Sequence, residues 1–266
     1  MGREWAETIR ESAAIATLDE AGSTNDELAR RAVTDAAAWP DLSVVVTDTQ
    51  TNGRGRLGRV WVAPPGECLA ISVLVRPATP SGAALDPERF GWLPLLAGAA
   101  MTRALRRLTD GAAIDLKWPN DVLTEGRKLS GILSELLPDL SGVVIGAGVN
   151  VTVASEALPT PTSSSLLVLT GERFDVDAVA SAYLREFRPL YDAYLASGGD
   201  AERSGLRAEV RGVCGTLGSR VRVELPGGAD LVGVARDIDG DGRLVVEDEN
   251  GRLQSVAAGD VTHLRY

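Results

Sequence analysis

The stretch IDLKWPNDVLTEGRKLSGILSELLPDLSGVVIGAGVN, Ile114 to Asn150, decides the fold class of this chain. Ile114–Trp118, Leu129–Leu137 and Val143–Val151 read as strands: apolar or alternating, and bounded by Pro, Asn, Asp or Gly. Pro119 restricts Trp118 to an extended backbone, and Asn120-Asp121 then reads as a turn. Working outward, Ser43–Thr47 (SVVVT) and Cys68–Val75 (CLAISVLV) add two β-branched strands. Helical periodicity runs through Phe90–Leu108 and Asp175–Leu195. Asp26–Val33 follows the capping pair Ser23-Thr24 and reads as a third helix. Strands gathered in the middle with helices on either side predict α+β, not βαβ alternation.

The chain changes character near its end. From Gly218, the segments SRVRVEL, ADLVGVARDI, RLVVEDE and RLQSVAAG are separated by the turns PGG, DGDG and NG. Short strands at that spacing predict a small β-barrel or meander. The boundary is expected near Val210, giving units of residues 1–210 and 211–266.

Composition narrows the function. The 266 residues, 44% of them apolar, suffice for one large domain or a medium one plus a small one. A net charge of −10 argues against a nucleic-acid surface, which is normally basic. The single histidine, His263, nearly removes Ser-His-Asp catalysis and histidine-rich metal sites. Cys68 and Cys214 make neither a disulfide framework nor a zinc site. The N-terminus is charged (Arg3, Glu4, Glu7, Arg10, Glu11), and the longest apolar run, Gly91–Met101, falls well short of a membrane span. The expectation is a cytoplasmic protein with no membrane partner. Of 27 basic residues only Lys117 and Lys128 are lysines, and both fall inside KWPNDVLTEGRK. Arginine serves as well for solubility but not as a compact, orientable ammonium.

Five segments carry candidate chemistry. Gln50–Trp61, QTNGRGRLGRVW, packs three glycines and three arginines into Gly53–Arg59. Glycine lets a backbone approach a ligand, and the arginine fork suits carboxylate and phosphate. In an acidic chain this loop is best aimed at an anion, although an exposed hairpin with incidental arginines has the same pattern. It is not a P-loop or dinucleotide fingerprint, having no GKS/GKT and no helix pattern directly after it. Lys117–Asp121 (KWPND) closes a strand, with a half-buried tryptophan as the plain alternative. In Arg127–Leu136 (RKLSGILSEL), Lys128 opens an alternating strand and Gly131 permits close approach. Gly146–Asn150 (GAGVN) leaves room beside Asn150, as tight strand packing would also require. Ser23-Thr24-Asn25 sets three short polar groups at a helix start, where plain capping is the alternative.

Taken in order, GRGR-x-GR-x-W, KWPND, RKLSGIL and GAGVN resemble the catalytic domain of biotin protein ligases. The likeness covers Leu18–Val153, and the C-terminal module more loosely. It implies a central mixed β-sheet with flanking helices, of the class II synthetase-like biotin/lipoate ligase kind, plus a small SH3-like β-barrel. It implies an ATP-dependent ligase making biotinyl-5′-adenylate and passing biotin to a lysine of the biotin carboxyl carrier domain of acyl-CoA carboxylases. Carried over residue by residue, Ser23, Thr24, Asn25 and Gln50 match positions around the biotin ureido ring. Gly53, Arg54, Gly55 and Arg56 fall in the loop that orders over biotin and the adenylate, with Arg54 and Arg56 near carboxylate and phosphate. Gly131, Gly146 and Gly148 match the biotin-pocket wall. Arg59, Trp61, Asn120 and Asn150 match the adenylate side. Lys128 matches the lysine bridging carboxylate and α-phosphate, and Asp121 is a tentative Mg²⁺ or amine contact. Catalysis is thereby assigned to Lys128, Arg54 and Arg56, with Mg²⁺ accompanying ATP. Some members carry an N-terminal helix-turn-helix domain; with its STN motif at Ser23 this chain has no room for one, and no DNA binding is expected. A monomer and a weak homodimer are equally consistent. A lipoate or octanoate ligase or transferase of the same fold is the nearest alternative, and a non-catalytic biotin or nucleotide sensor a more distant one.

Overall fold

The computed structural model describes residues 3–61, 63–225, 230–257 and 260–264. Seven strands form the main sheet: β1 (Ile15–Thr17), β2 (Val44–Thr47), β5 (Cys68–Val75), β6 (Ile114–Lys117), β7 (Asp121–Thr124), β8 (Arg127–Leu136) and β9 (Val143–Asn150). Their order is β1-β2-β5-β9-β8-β7-β6; β1 and β2 run parallel and every other pair antiparallel, so the sheet is mixed. Between β2 and β5, β3 (Gly53–Arg54) and β4 (Val60–Trp61) make a separate two-stranded ribbon.

Alternation across the pleat sorts the side chains. On one face of β5 and β9, Leu69, Ile71, Val73, Val143, Ile145 and Val149 join one core with Leu93–Leu108 (α3), Leu166 of Leu166–Thr170 (α4) and Val176–Ala196 (α5). On the other, Leu74 and Val144 pack with Val45 and Leu137 under Leu28 and Ala32 of Thr24–Thr34 (α2). That second face is large and apolar only where α2 lies. Beyond it the same strands present Ala70, Ser72, Gly146 and Gly148, and a cleft opens there.

Most expected elements form, and the departures have local causes. Trp118 and Pro119 join through a cis peptide, and the strand stops at Lys117. Asp121 opens β7 instead of completing a turn. Four residues give too short a periodic signal, and the β7–β8 hairpin turns on Glu125-Gly126, both at positive φ (48° and 73°), where only the glycine is conventional. Residues 87–92 form a 3₁₀ turn, and α3 begins only at Leu93 with Pro94 in its first turn, where a missing N–H is no loss.

The C-terminal unit is a five-stranded antiparallel sheet ordered β13-β12-β11-β10-β14: β10 (Arg220–Glu224), β11 (Asp230–Ile238), β12 (Leu244–Asp248), β13 (Leu253–Val256) and β14 (Asp260–His263). The expected PGG turn at 226–228 and the last residues of RLQSVAAG, 258–259, lie outside the described residues. β14 pairs with β10 and is an element that the sequence pattern did not reveal. Position 210 falls within Leu206–Val213 (α6), which packs on α3 and β6. Val221, Leu244 and Val246 share the core of α3 and α5, so the two sheets stand on one apolar interior. Among the described residues no helix is long and apolar enough to cross a membrane.

Ala6–Glu11 (α1), too short and too polar to read from periodicity, is held by a buried carboxylate. Asp177 of α5 accepts from Glu7 N and Thr8 N (2.9 Å each) and from the Thr8 hydroxyl (2.5 Å), supplying the partners that a helix N-terminus lacks. Asp177→Ala orphans these donors and is expected to cost roughly 2–3 kcal/mol of unfolding free energy. Urea unfolding will show this as a lowered midpoint at unchanged slope; an unmoved midpoint would mean that α1 docks without the carboxylate.

Candidate functional site

The cleft has a volume of about 1050 Å³ and lies on the open half of the sheet, between α2, the β3–β4 ribbon and the β7–β8 hairpin. That exceeds what one drug-sized ligand fills.

At one end stands the N-terminus of α2. Ser23 caps the helix, its hydroxyl accepting from Asp26 N at 3.4 Å. Thr24 donates both its N–H and its hydroxyl to Gln50 Oε1 (2.8 and 3.1 Å). The Ser72 hydroxyl, from the sheet floor, lies 2.8 Å from Thr24 Oγ1 and 2.6 Å from Asn25 Oδ1. Asn25 Nδ2 donates to Glu135 Oε2 (2.6 Å) and to Leu133 O (3.3 Å). Asn25 is thus fixed at both ends of its amide. A Cβ on Gly146 would stand 2.3 Å from Asn25 Oδ1, so this glycine is what lets Asn25 lie flat on β9.

The glycine–arginine loop forms the roof. Gly53 is buried, backed by Gln50 and Trp61, and does not line the cleft. Gly55 N donates to Arg59 O at 2.6 Å, closing a tight turn over residues 56–58. Leu57 sits at its tip with φ 56° and is 77% exposed. Trp61 lies over Gly148, where a Cβ would stand 2.6 Å from the indole ring. Arg54 does not point at a vacant anion site. Its Nη2 lies 2.6 Å from Asp26 Oδ1 and 3.2 Å from Glu135 Oε1, fastening the roof to α2 and β8. The Asp26 carboxyl is held below its ordinary range by that guanidinium, and the Arg54 cation is held charged by Asp26 in return. Arg56 Nη1 donates to Asn120 Oδ1 at 2.9 Å, a second fastening.

Lys128 stands on the floor. Its ammonium is 2.6 Å from Asp121 Oδ1 and rests on Gly131, where a Cβ would fall 2.8 Å from Nζ. Its backbone is bridged on the far side: Lys128 N donates to Thr162 O (2.7 Å), and Ser164 N donates to Lys128 O (2.8 Å). The same loop is anchored by Asn150, whose Nδ2 donates to Ser164 O at 2.9 Å. Asn120 Nδ2 donates to Ile132 O (2.9 Å), tying the corner after β6 to β8.

Ser23, Thr24, Asn25, Gln50, Arg54, Gly55, Arg56, Arg59, Trp61, Asn120, Asp121, Lys128, Gly131, Gly146, Gly148 and Asn150 therefore meet in one cleft. The sequence reading missed Pro159–Ser163 and Thr262-His263 on its walls and Glu135 behind Asn25 and Arg54. Only the TPTSSS composition of 160–165 hinted at a polar wall. Among the described residues no cluster of three or more His, Cys, Asp or Glu could enclose a metal. Cys68, below Asn150 in register, is buried and its thiol is pushed up to about 12 by desolvation.

Residues 23–150 match the sequence profile of the biotin/lipoate A/B protein ligase family, and residues 216–264 that of the biotin protein ligase C-terminal domain. A biotin–acetyl-CoA-carboxylase ligase of Mycobacterium tuberculosis is 43% identical over 248 residues, 92% of this chain and 87% of that protein. A protein of the same name from Paracoccus denitrificans is 31% identical over 265 residues, 92% of this chain and 98% of that one. The biotin protein ligase from Aquifex aeolicus, solved in complex with biotin and ATP, superposes with a TM-score of 0.76 at 24% identity, over 96% of this chain and all (100%) of that one.

The Arg54 fastening makes a prediction about the roof. Replacing Asp26 by Asn and Glu135 by Gln together should raise tryptic cleavage after Arg54, Arg56 and Arg59 several-fold at pH 7, with far-UV circular dichroism unchanged. Because the Asp26 carboxyl is held below its usual value of 3.8, the fastening is present above that pH and is lost only as pH falls through the lowered value. Equal cleavage of the double variant and the parent would show that Arg54 does not hold the roof.

Proposed function

The chain belongs to the biotin/lipoate A/B protein ligase family, and on that premise we propose that it activates biotin with ATP as biotinyl-5′-adenylate and passes biotin to a lysine of a biotin carboxyl carrier domain of an acyl-CoA carboxylase. One observation carries the reading: Lys128 holds its ammonium on a glycine floor, in a cleft that it shares with the polar N-terminus of α2 and with Asn120 and Asn150.

The chemistry needs two anions, a carboxylate and an α-phosphate, brought together against their repulsion. A cation fixed between them offsets that repulsion and stabilises the charge that develops as the carboxylate attacks phosphorus. Lys128 is assigned that place. Ser23, Thr24, Asn25 and Gln50 frame the end for the biotin ring, and Gly131, Gly146 and Gly148 keep its wall low. Arg56, Arg59, Trp61, Asn120 and Asn150 bound the adenylate side. Arg54 keeps the roof down through Asp26 and Glu135, with Gly53 and Gly55 giving the roof its shape. A divalent cation brought by ATP would screen phosphate charge; Asp121, with Glu125 also on the cleft wall, offers the hard oxygen donors that Mg²⁺ takes together with phosphates and water. A roof closed over the mixed anhydride excludes water until an acceptor amine attacks its carbonyl and AMP departs. No enzyme nucleophile is required, in keeping with a Cys68 thiol that burial keeps protonated.

Pyrophosphate release with ATP and either biotin or lipoate tests the substrate. Release is expected with biotin, and release with lipoate alone would overturn the reading. Lys128→Ala should lower biotin-dependent release by roughly 10²–10³-fold with the thermal midpoint preserved; full turnover at saturating substrates would remove Lys128 from this role.

A further inference from the structure

Gly148, Gly131, Asp121 and Lys117 are successive register partners across β9, β8, β7 and β6, and so share the cleft face of the sheet. Neighbouring strands lie about 4.8 Å apart, which puts the Lys117 backbone about 10 Å beyond Gly131, on which the Lys128 ammonium rests. β6 is the last strand of this sheet, so the file of residues ends there, with Cys214-Gly215 bridging its outer edge at Leu116.

Lys117 lines the cleft, half-buried. The other cations of this wall and roof are engaged: Lys128 with Asp121, Arg127 with Glu125, Arg54 with Asp26 and Glu135, Arg56 with Asn120. Among the described residues the Lys117 ammonium has no ion-pair or hydrogen-bond partner, and its register neighbour Asp121 is already taken by Lys128. The corner that follows is closed by main-chain atoms, Asn120 N donating to Lys117 O at 3.1 Å, so turn formation does not use the side chain. A chain of net charge −10, with arginine at all but two of its 27 basic positions, thus keeps at the end of the file a lysine whose charge no described side chain pairs. A small, strongly hydrated ammonium on a flexible stem meets phosphoryl oxygens from many directions, where the planar arginine fork demands one.

We propose that Lys117 binds the β- and γ-phosphoryl groups of ATP and receives the diphosphate that leaves. This rests on the adenylation reading above and adds a residue to it. In that step a biotin carboxylate oxygen forms a bond to the α-phosphorus, and the bond from the α-phosphorus to the α–β bridging oxygen breaks. The electron pair stays on that oxygen, so the departing diphosphate gains a negative charge. Lys128 faces the centre where the bond forms, and Lys117 faces the group in which the charge accumulates. Lys117 donates hydrogen bonds and loses no proton.

The test separates the two half-reactions. Lys117→Ala, Lys117→Gln and Lys117→Arg are compared with the parent in biotin-dependent exchange of labelled pyrophosphate into ATP, and in transfer from preformed biotinyl-5′-adenylate to an acceptor domain. For the Ala and Gln variants, exchange should fall by roughly one to two orders of magnitude, with KM for pyrophosphate raised. Lys117→Arg should recover part of the loss, and transfer from the preformed adenylate should stay within twofold of the parent. Undiminished exchange in Lys117→Ala, or equal losses in exchange and transfer, would overturn the assignment while leaving biotin activation intact. Absence of biotin-dependent exchange in the parent enzyme would remove the adenylation reading, and the assignment with it.

Discussion

A lysine ammonium can lie flat on a β-sheet only where the residue beneath it has no side chain, and Lys128 lies so on Gly131, 2.6 Å from Asp121. The pair contributes little to stability, since both side chains remain partly open to solvent and water screens their attraction. Its effect is geometric: Asp121 fixes the direction of the lysine before any ligand arrives. The same condition recurs along the floor. Gly148 admits the Trp61 ring and Gly146 admits the Asn25 amide, each at a distance that a methyl group would close. A floor of small residues buries little apolar area. The sheet therefore gains its stability from the opposite face, where Leu69, Ile71, Val73 and Ile145 meet α3 and α5, and from the end of the same face beneath α2. One requirement, a flat floor for three side chains, divides β5, β8 and β9 into a packed face and an open one.

Interactions close in sequence or repeated along a strand are legible in the sequence alone. CLAISVLV and GVVIGAGVN announce buried strands, because eight consecutive apolar or small residues have no other economical place in a chain of this polarity. What could not be read depends on distant partners. Arg54 resembles an anion ligand from its glycine-rich setting, yet its guanidinium is held by carboxylates 28 and 81 residues away. Glu135 looks like the solvent side of an alternating strand, and only the packing of α2 over β5 and β9 brings Asn25 within reach of it. The loop that bridges the Lys128 backbone lies more than thirty residues downstream with no periodicity to mark it. The motifs therefore name the residues of the site, and only the fold shows which of them hold the others.

That difference bears on the C-terminal unit, which contributes Thr262 and His263 to the cleft wall and otherwise stands apart from it. Its larger effect is on the corner after β6. Thr216 Oγ1 accepts from Trp118 N at 3.0 Å and lies 3.1 Å from His263 Nε2. Trp118 Nε1 donates to Gly242 O at 3.0 Å, and Gly215 N donates to Leu116 O at 3.0 Å. These contacts clamp the strand and corner that present Lys117, Asn120 and Asp121. Through Asn120, which accepts from Arg56, the clamp extends to the roof, and through Asp121 it extends to Lys128. The single histidine of the chain thus belongs to the clamp through Thr216. Losing the second sheet would unseat Trp118 and release the corner that carries Asn120, while the ladders of the main sheet keep the strands at their spacing. A cleft that must hold two anions at a set spacing therefore depends on a unit that supplies few of its walls.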